Sequence, residues 1–114
     1  MNGESGGLDR VDRGAVEVVA LAGELDIETA PDARVTLGAA LRSGRSVVLD
    51  LSGVTFADST ALSLLLWASR GAVYLAGPLA PQVERLLEVS GVDDYLTLHP
   101  SAAEALAAAD GGAE

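Results

Sequence analysis

Strand-like and helix-like segments alternate along this chain of 114 residues, and that alternation constrains its fold more than any other feature. Short runs rich in aliphatic and β-branched residues, typical of buried strands, lie at 16–21, 47–51, 73–75 and 96–98. Apolar spacing and terminal residues predict helices at 29–43, 58–70, 81–90 and 101–109. A further strand at 8–11 is expected to pair with 16–21 as a hairpin. Alternation with short connections predicts an α/β domain, with helices packed against a mixed, mostly parallel β-sheet.

The length and composition fit one domain. A chain of 114 residues that is 49% hydrophobic can form a single core. We expect this domain to span 8–109, with a flexible N-terminus at 1–7 and a flexible C-terminal tail at 110–114. The longest apolar stretch, 62–68, is far too short to span a bilayer, and no secretory signal is visible. We therefore expect a cytoplasmic protein without membrane insertion.

The charge balance disfavours binding to nucleic acid. The formal net charge is −10, and the seven basic residues are arginines scattered along the sequence. Nucleic acids are bound by neutralising their phosphates with clustered basic side chains, so direct binding to nucleic acid or to an anionic membrane is not expected. Two explanations of the acidity stay open: it attracts a protein partner with a basic patch, or it keeps the protein soluble.

No combination of residues predicts an active site. The single histidine, His99, precedes Pro100 in a predicted loop, and no second metal ligand lies at helical spacing from it. The sequence has neither the G-x-S-x-G motif of serine hydrolases nor a Gly-rich phosphate-binding loop. We therefore expect no enzyme activity, no cofactor and no metal, and we interpret His99 as a surface or packing residue.

The most informative segment is 50–62, where a buried strand is predicted to end, a short loop follows, and Asp58, Ser59 and Thr60 open a helix. Asp, Ser and Thr side chains commonly satisfy the free N–H groups at helix N-termini. Local physics therefore explains these three residues as a helix cap, with no further role for Ser59.

A helical projection of the same segment suggests more than a cap. At 100° per residue, Ser59, Ser63 and Arg70 fall on one narrow face. Leu66 and Trp67 flank that face, and aromatic residues in such positions are frequent anchors of protein interfaces. Trp67 is either such an anchor or a cover for the rim of the core. The opposite side carries the residues that we expect in the core: Ala61, Leu64, Leu65 and Ala68.

Three separated segments resemble the signature motifs of one known family. Residues 22–26 read AGELD and are closely followed by TAP at 29–31; residues 50–60 read DLSGVTFADST, and residues 81–92 read PQVERLLEVSGV. In this order they are similar to the opening, central and third-helix motifs of the STAS domain, the sulphate-transporter and anti-sigma-factor-antagonist family. The resemblance runs over about 8–109 and implies a single STAS domain.

In the anti-sigma-factor antagonists of this family, the serine at the position of Ser59 is phosphorylated by the anti-sigma factor, a serine kinase with a histidine-kinase-like ATPase fold. The resemblance implies that the unphosphorylated chain binds this kinase and frees a sigma factor. It also implies that phosphorylation of Ser59 prevents binding and that a PP2C-type phosphatase restores it. Asp26 and Asp58 match acidic positions beside the serine. We expect the partner-binding residues to be Asp26, Asp58, Thr60, Ser63, Leu66 and Trp67.

A phosphate on Ser59 adds about −1.5 to −2 charges, and we expect the N–H groups at the helix N-terminus to hold it. Two differences from the family bear on partner fit: Ala61 stands where glycine is frequent, and the second helix lacks its usual basic end.

Two alternatives stay open. The chain is an accessory subunit of a membrane lipid or solute transport complex, or it binds its partner constitutively and Ser59 is only a cap.

Overall fold

The computed structural model describes residues 8–13 and 15–112, and in that part of the chain it contains five strands and four helices. The strands are β1 (Leu8–Arg13), β2 (Val16–Leu25), β3 (Ser46–Ala57), β4 (Val73–Ala76) and β5 (Thr97–His99). The helices are α1 (Ala30–Arg42), α2 (Ser59–Ala68), α3 (Pro81–Ser90) and α4 (Ala102–Gly112). One turn of 3-10 helix, Val92–Asp94, precedes β5. The predicted flexible N-terminus at 1–7 and the last two residues, 113–114, lie outside the described residues.

The described strands form one sheet, in the same order as in the sequence. β1 is antiparallel to β2, as in the predicted hairpin, whereas β2, β3, β4 and β5 are parallel to one another. A helix joins each parallel pair. Because such crossovers are right-handed and the strand order never reverses, α1, α2 and α3 share one face of the sheet, and α4 packs on the other. The predicted α/β fold with a mixed, mostly parallel sheet is confirmed.

Two apolar layers, one on each face of the sheet, hold the fold together. The larger layer lies under α1, α2 and α3 and includes Leu37 and Leu87. The smaller layer lies under α4 and includes Val48 and Ala105. Successive residues of β3 point alternately into the two layers, and 47–49 are fully buried. This burial on both sides explains why the strand has a continuous apolar run instead of alternating polarity.

Local signals set several helix boundaries as the sequence predicts. Gly44, just past α1, has a φ of +81°, and Gly91, just past α3, has a φ of +79°. Glycine adopts this left-handed conformation without the steric penalty that other residues incur. At the start of α4, the Ser101 hydroxyl oxygen accepts a hydrogen bond from Glu104 N at 3.1 Å, as expected of the predicted cap.

The largest difference from the sequence-based prediction is in β3, which continues to Ala57 instead of ending at residue 51. β2 also extends further than predicted, to Leu25, and the two strands pair along their added length. Segment 52–57 is therefore strand and not loop. The pairing shifts register twice along β2, which breaks the two-residue alternation that would have revealed the strand.

Gly53 lies in this irregular part of the β2–β3 pairing, opposite Ala22. A Cβ atom at position 53 would be 3.0 Å from Ala22 Cβ and 3.1 Å from Leu21 O. The absence of a side chain thus allows the two strands to approach closely where their register shifts.

Several other boundaries differ from the prediction, and three of them concern α2, β5 and α4. α2 ends at Ala68, where Ser69 closes the last turn by donating its hydroxyl to a carbonyl of that turn at 2.6 Å. β5 begins one residue later than expected and includes His99, which is therefore in a strand and not in a loop. α4 continues to Gly112, three residues past its predicted end. No helix within the described ranges 8–13 and 15–112 is both long and apolar enough to cross a membrane.

Candidate functional site

The carboxyl ends of β2 and β3 meet at one edge of the sheet and carry the two predicted aspartates. Leu25 pairs with Ala57 at the end of the parallel ladder. The next residue of each strand is an aspartate, Asp26 after β2 and Asp58 after β3, and Ser59 then begins α2. Neighbouring strands are about 4.8 Å apart. The two aspartates therefore leave the sheet side by side, next to Ser59.

Asp58, and not Ser59, caps α2. Its Oδ1 accepts hydrogen bonds from Thr60 N at 2.9 Å and from Ala61 N at 3.4 Å, and its backbone is extended, as is usual for an N-cap. Ser59 is the first helical residue and is exposed, and its hydroxyl makes no hydrogen bond within the part of the chain that the structure describes. The capping explanation is therefore right for Asp58 and wrong for Ser59.

Asp26 shapes the connection between β2 and α1. Its Oδ1 accepts hydrogen bonds from Glu28 N at 3.0 Å and from Thr29 N at 3.2 Å. The Thr29 hydroxyl donates to Glu24 O at 2.7 Å and accepts from Asp26 N at 3.0 Å. These bonds fix a tight turn in which Ile27 is 73% exposed. Ile27 is not apparent from the sequence, because an isolated apolar residue in a turn belongs to no periodic pattern.

The exposed and buried sides of α2 follow the helical projection. Ser59 and Ser63 are exposed, Leu66 is 44% exposed, and Trp67 is partly buried beside it. The buried side consists of Ala61, Leu64, Leu65 and Ala68, as predicted. Ala61 is only 1% exposed, so its methyl group packs in the core and does not obstruct an approach to Ser59.

Arg34 of α1 adds a basic group to this surface, which the sequence does not predict. Its guanidinium carbon lies 4.3 Å from the centroid of the Trp67 ring, in a cation–π contact. Gly38, one turn further along α1, also faces the indole, and a Cβ there would be in ordinary van der Waals contact with Trp67 Cη2, at 3.4 Å. The spacing of Arg34 and Gly38 places them on one side of α1, but nothing in the sequence indicates that this side meets Trp67.

A shallow groove of about 300 Å³ runs between α1 and α2. Its lining is mostly apolar and includes one guanidinium and two hydroxyl groups: Ile27, Ala30, Pro31, Arg34, Thr60, Ser63 and Leu64. The groove adjoins Ser59, because Thr60 is the next residue of α2 and Ser63 lies one turn further on. We refer to the whole surface as the Ser59 face, which comprises Asp26, Ile27, Arg34, Asp58, Ser59, Thr60, Ser63, Leu66 and Trp67.

Gln82, in the first turn of α3, ties that helix to the end of β3. Its Nε2 donates to Ala57 O at 2.8 Å, and its Oε1 accepts from Ala57 N at 3.0 Å. Because Ala57 immediately precedes the cap residue Asp58, these two bonds hold the strand end from which the Ser59 face begins. This contact joins residues 25 positions apart, and no local pattern in the sequence signals it.

The candidate residues thus share one surface, whereas His99 lies elsewhere. His99 is in β5, which β4 separates from β3, and its ring centroid is 6.0 Å from that of Tyr74. The Ser59 face combines an exposed hydroxyl, exposed apolar side chains and acidic groups, which are features of a surface that recognises a protein partner. Fold and site together define a small α/β domain with an exposed serine at the start of a helix.

A family model described as Mlab, STAS domain matches residues 8–100. The chain therefore belongs to the STAS-domain family, and the membership predicted from its motifs is confirmed. The match covers the sheet from β1 to β5 and the helices α1, α2 and α3.

Solved structures of anti-sigma factor antagonists have the same fold. One from Mycobacterium paratuberculosis is 28% identical, with a TM-score of 0.86 over 93% of this chain and 95% of that one. A putative one from Thermotoga maritima is 20% identical, with a TM-score of 0.77 over 90% of this chain and 94% of that one. SpoIIAA in its unphosphorylated form is 24% identical, with a TM-score of 0.72 over 94% and 97%. The Bacillus cell fate determinant SpoIIAA in its phosphorylated form is 23% identical, with a TM-score of 0.59 over 84% and 92%.

Proposed function

We propose that this chain is an anti-sigma-factor antagonist that binds an anti-sigma factor through the Ser59 face and is switched off by phosphorylation of Ser59. The proposed partner is a serine kinase with a histidine-kinase-like ATPase fold, which retains a sigma factor until the antagonist displaces it. A PP2C-type phosphatase returns the antagonist to its binding form. In this proposal the exchange takes place in the cytoplasm, without contact to nucleic acid and without membrane insertion.

The observation that carries the proposal is the exposed Ser59 hydroxyl, which has no hydrogen bond within the described residues while Asp58 performs the capping. Transfer of the γ-phosphoryl group from ATP to Ser59 Oγ, with release of ADP, therefore requires no rearrangement of α2. The relative from Mycobacterium paratuberculosis supports the assignment as an anti-sigma factor antagonist. SpoIIAA, which shares the fold, has both an unphosphorylated and a phosphorylated form.

Apolar groups around Ser59 supply the contact area for a partner. Ile27 and Leu66 are exposed, and Trp67 lies beside Leu66 on the same side of α2. Large apolar and aromatic side chains of this kind contribute most of the binding energy in protein interfaces, whereas the acidic rim steers a basic partner towards them.

Acidic neighbours explain why a phosphate on Ser59 would end this binding. The phosphate adds about −1.5 to −2 charges beside Asp26 and Asp58. A partner surface that fits a neutral hydroxyl then meets repulsion and must also desolvate the phosphate. A loss of about 3 kcal/mol weakens binding by more than about a hundredfold.

Phosphorylation by the candidate kinase tests the proposal directly. The protein is incubated with the kinase and ATP, and its intact mass is measured. We expect one added phosphate on the unmodified sequence and on Ser63→Ala, and none on Ser59→Ala. Ser63 is a matched control because it is also an exposed serine on α2, one turn from Ser59. Equal labelling of Ser59→Ala would contradict the proposed switch. Stable binding to the ATPase of a transport complex, with Ser59 unmodified, would instead support an accessory subunit of such a complex.

A further inference from the structure

The start of α2 has few free donors for a phosphate on Ser59. Asp58 Oδ1 accepts from Thr60 N and Ala61 N. Asp58 O accepts from Ala61 N at 3.0 Å and from Leu62 N at 3.3 Å. Three N–H groups of the first turn are therefore already bonded, so a phosphate on Ser59 finds few free donors at the helix N-terminus. A donor from another element would add to them.

Arg34 is the basic side chain that the structure brings to this surface. It lines the groove between α1 and α2 together with the hydroxyl residues Thr60 and Ser63. Ser63 and Ser59 are four residues apart on one side of α2, which corresponds to about 6 Å along the helix surface. A change of rotamer can therefore move the long, flexible Arg34 side chain from Trp67 to the surroundings of Ser59.

The other arginines whose side chains the structure describes are further from the groove. Arg45, at the amino end of β3, bonds to Glu17 at 3.3 Å, at the sheet edge opposite to Ser59. Arg42 ends α1, Arg70 follows the C-terminus of α2, and Arg85 is on α3. Only Arg34 of this described set lines the groove.

We propose that the groove beside Ser59 is an intramolecular phosphate-binding site, in which Arg34 leaves the Trp67 ring and pairs with the phosphate of phosphorylated Ser59. The hydroxyl groups of Thr60 and Ser63 are further donors to the same phosphate. This inference rests on the proposed phosphorylation of Ser59.

Charge decides which of the two positions Arg34 occupies. An unmodified Ser59 offers no anion, so the guanidinium remains over the indole, where it is found. The charge-assisted and often bidentate hydrogen bonds of a guanidinium with a phosphate are stronger than its cation–π contact with the partly buried Trp67 ring. Phosphorylation therefore removes the cation from Trp67 and changes the very surface that a partner contacts. The single modification acts twice, by its own charge and by displacing Arg34.

The test uses phosphoserine incorporated genetically at position 59, so that no kinase is needed. Phosphorus NMR follows the second ionisation of this phosphate as a function of pH. The measurement is made on the phosphorylated chain without other substitutions and on the same chain with Arg34→Ala, Arg34→Lys or Arg70→Ala. A guanidinium beside the phosphate favours the doubly charged form and lowers the pKa of that group, whereas Asp26 and Asp58 oppose this effect equally in all variants. We expect the phosphate to lose its second proton at lower pH in the chain that retains Arg34 than in Arg34→Ala. Arg34→Lys should be intermediate, and Arg70→Ala unchanged.

Trp67 provides a second readout, because it is the single tryptophan of the chain. We expect phosphoserine at position 59 to shift the tryptophan emission maximum to longer wavelength, and we expect no such shift in Arg34→Ala. If the pKa of the phosphate were the same in the chain with Arg34 and in Arg34→Ala, the inference would be overturned. That result would not touch the proposed function, since kinase recognition and partner binding do not enter the measurement. Conversely, if the kinase failed to modify Ser59, the proposed function would fail, but the pairing of Arg34 with a genetically incorporated phosphoserine could still be measured.

Discussion

Substitution of Gln82 tests how the Ser59 face is held in place. The Gln82 amide forms two hydrogen bonds with the backbone of Ala57, at 2.8 and 3.0 Å, and Ala57 is only 3% exposed. Each such bond contributes about 0.5–1.5 kcal/mol net, and a buried group left without a partner costs more. Gln82 itself is exposed, so water replaces part of what is lost. We therefore expect Gln82→Ala to lower the free energy of unfolding by about 2 kcal/mol.

Urea denaturation followed by far-UV circular dichroism measures this loss, and thermal melting should show a Tm lower by about 8 °C for a domain of this size. Arg85→Ala is the matched control, because Arg85 is exposed on the same helix and should change stability by less than about 0.5 kcal/mol. If Gln82→Ala proved as stable as Arg85→Ala, the two bonds would not hold the end of β3, and the account of how the site is positioned would be refuted.

Three further substitutions test separate parts of the structure. Asp58→Ala removes the cap of α2 and should cost about 1 kcal/mol of stability in a urea titration, whereas Asp58→Asn should retain most of it. Gly53→Ala introduces a Cβ against β2 and should cost about 1–2 kcal/mol; a cost no larger than that of Ser52→Ala, its exposed neighbour, would show that the strands have room there. Leu66→Ala should lower the free energy of unfolding by only about 1 kcal/mol, because the side chain is 44% exposed, but it should weaken binding to the anti-sigma factor about tenfold, measured by calorimetry. Unchanged affinity would remove Leu66 from the interface.

Local patterns were sufficient for much of the fold and for one side of the site. The apolar spacing of α2 separates its buried from its exposed residues, because a helix that packs against a sheet buries one continuous stripe. The same reasoning gives the exposed position of Ser59 and the boundaries of α3, where Pro81 and Gly91 are unambiguous signals. Strand-helix alternation in turn gives the class of fold, since few topologies satisfy it.

Contacts between distant segments could not be obtained in this way. The continuation of β3 to Ala57 depends on pairing with β2, and the register shifts erase its periodicity. The Gln82 bonds and the contact of Arg34 with Trp67 join residues on different elements, so neither has a local signature. The cap of α2 is a local contact, but Asp and Ser are both favourable N-cap residues, so Ser59 was open to interpretation as a cap until the structure assigned the capping bonds to Asp58.

The affinity of the anti-sigma factor kinase for the two forms of this protein tests the central claim most directly. Isothermal titration calorimetry compares the unmodified chain with the chain that carries phosphoserine at position 59, with Val89→Asp, at an exposed position near the end of α3, as a control for added charge outside the Ser59 face. We predict tight binding of the unmodified form and binding weaker by about a hundredfold or more for the phosphorylated form. Val89→Asp should weaken binding much less. Equal affinity of the two forms would contradict a switch at Ser59.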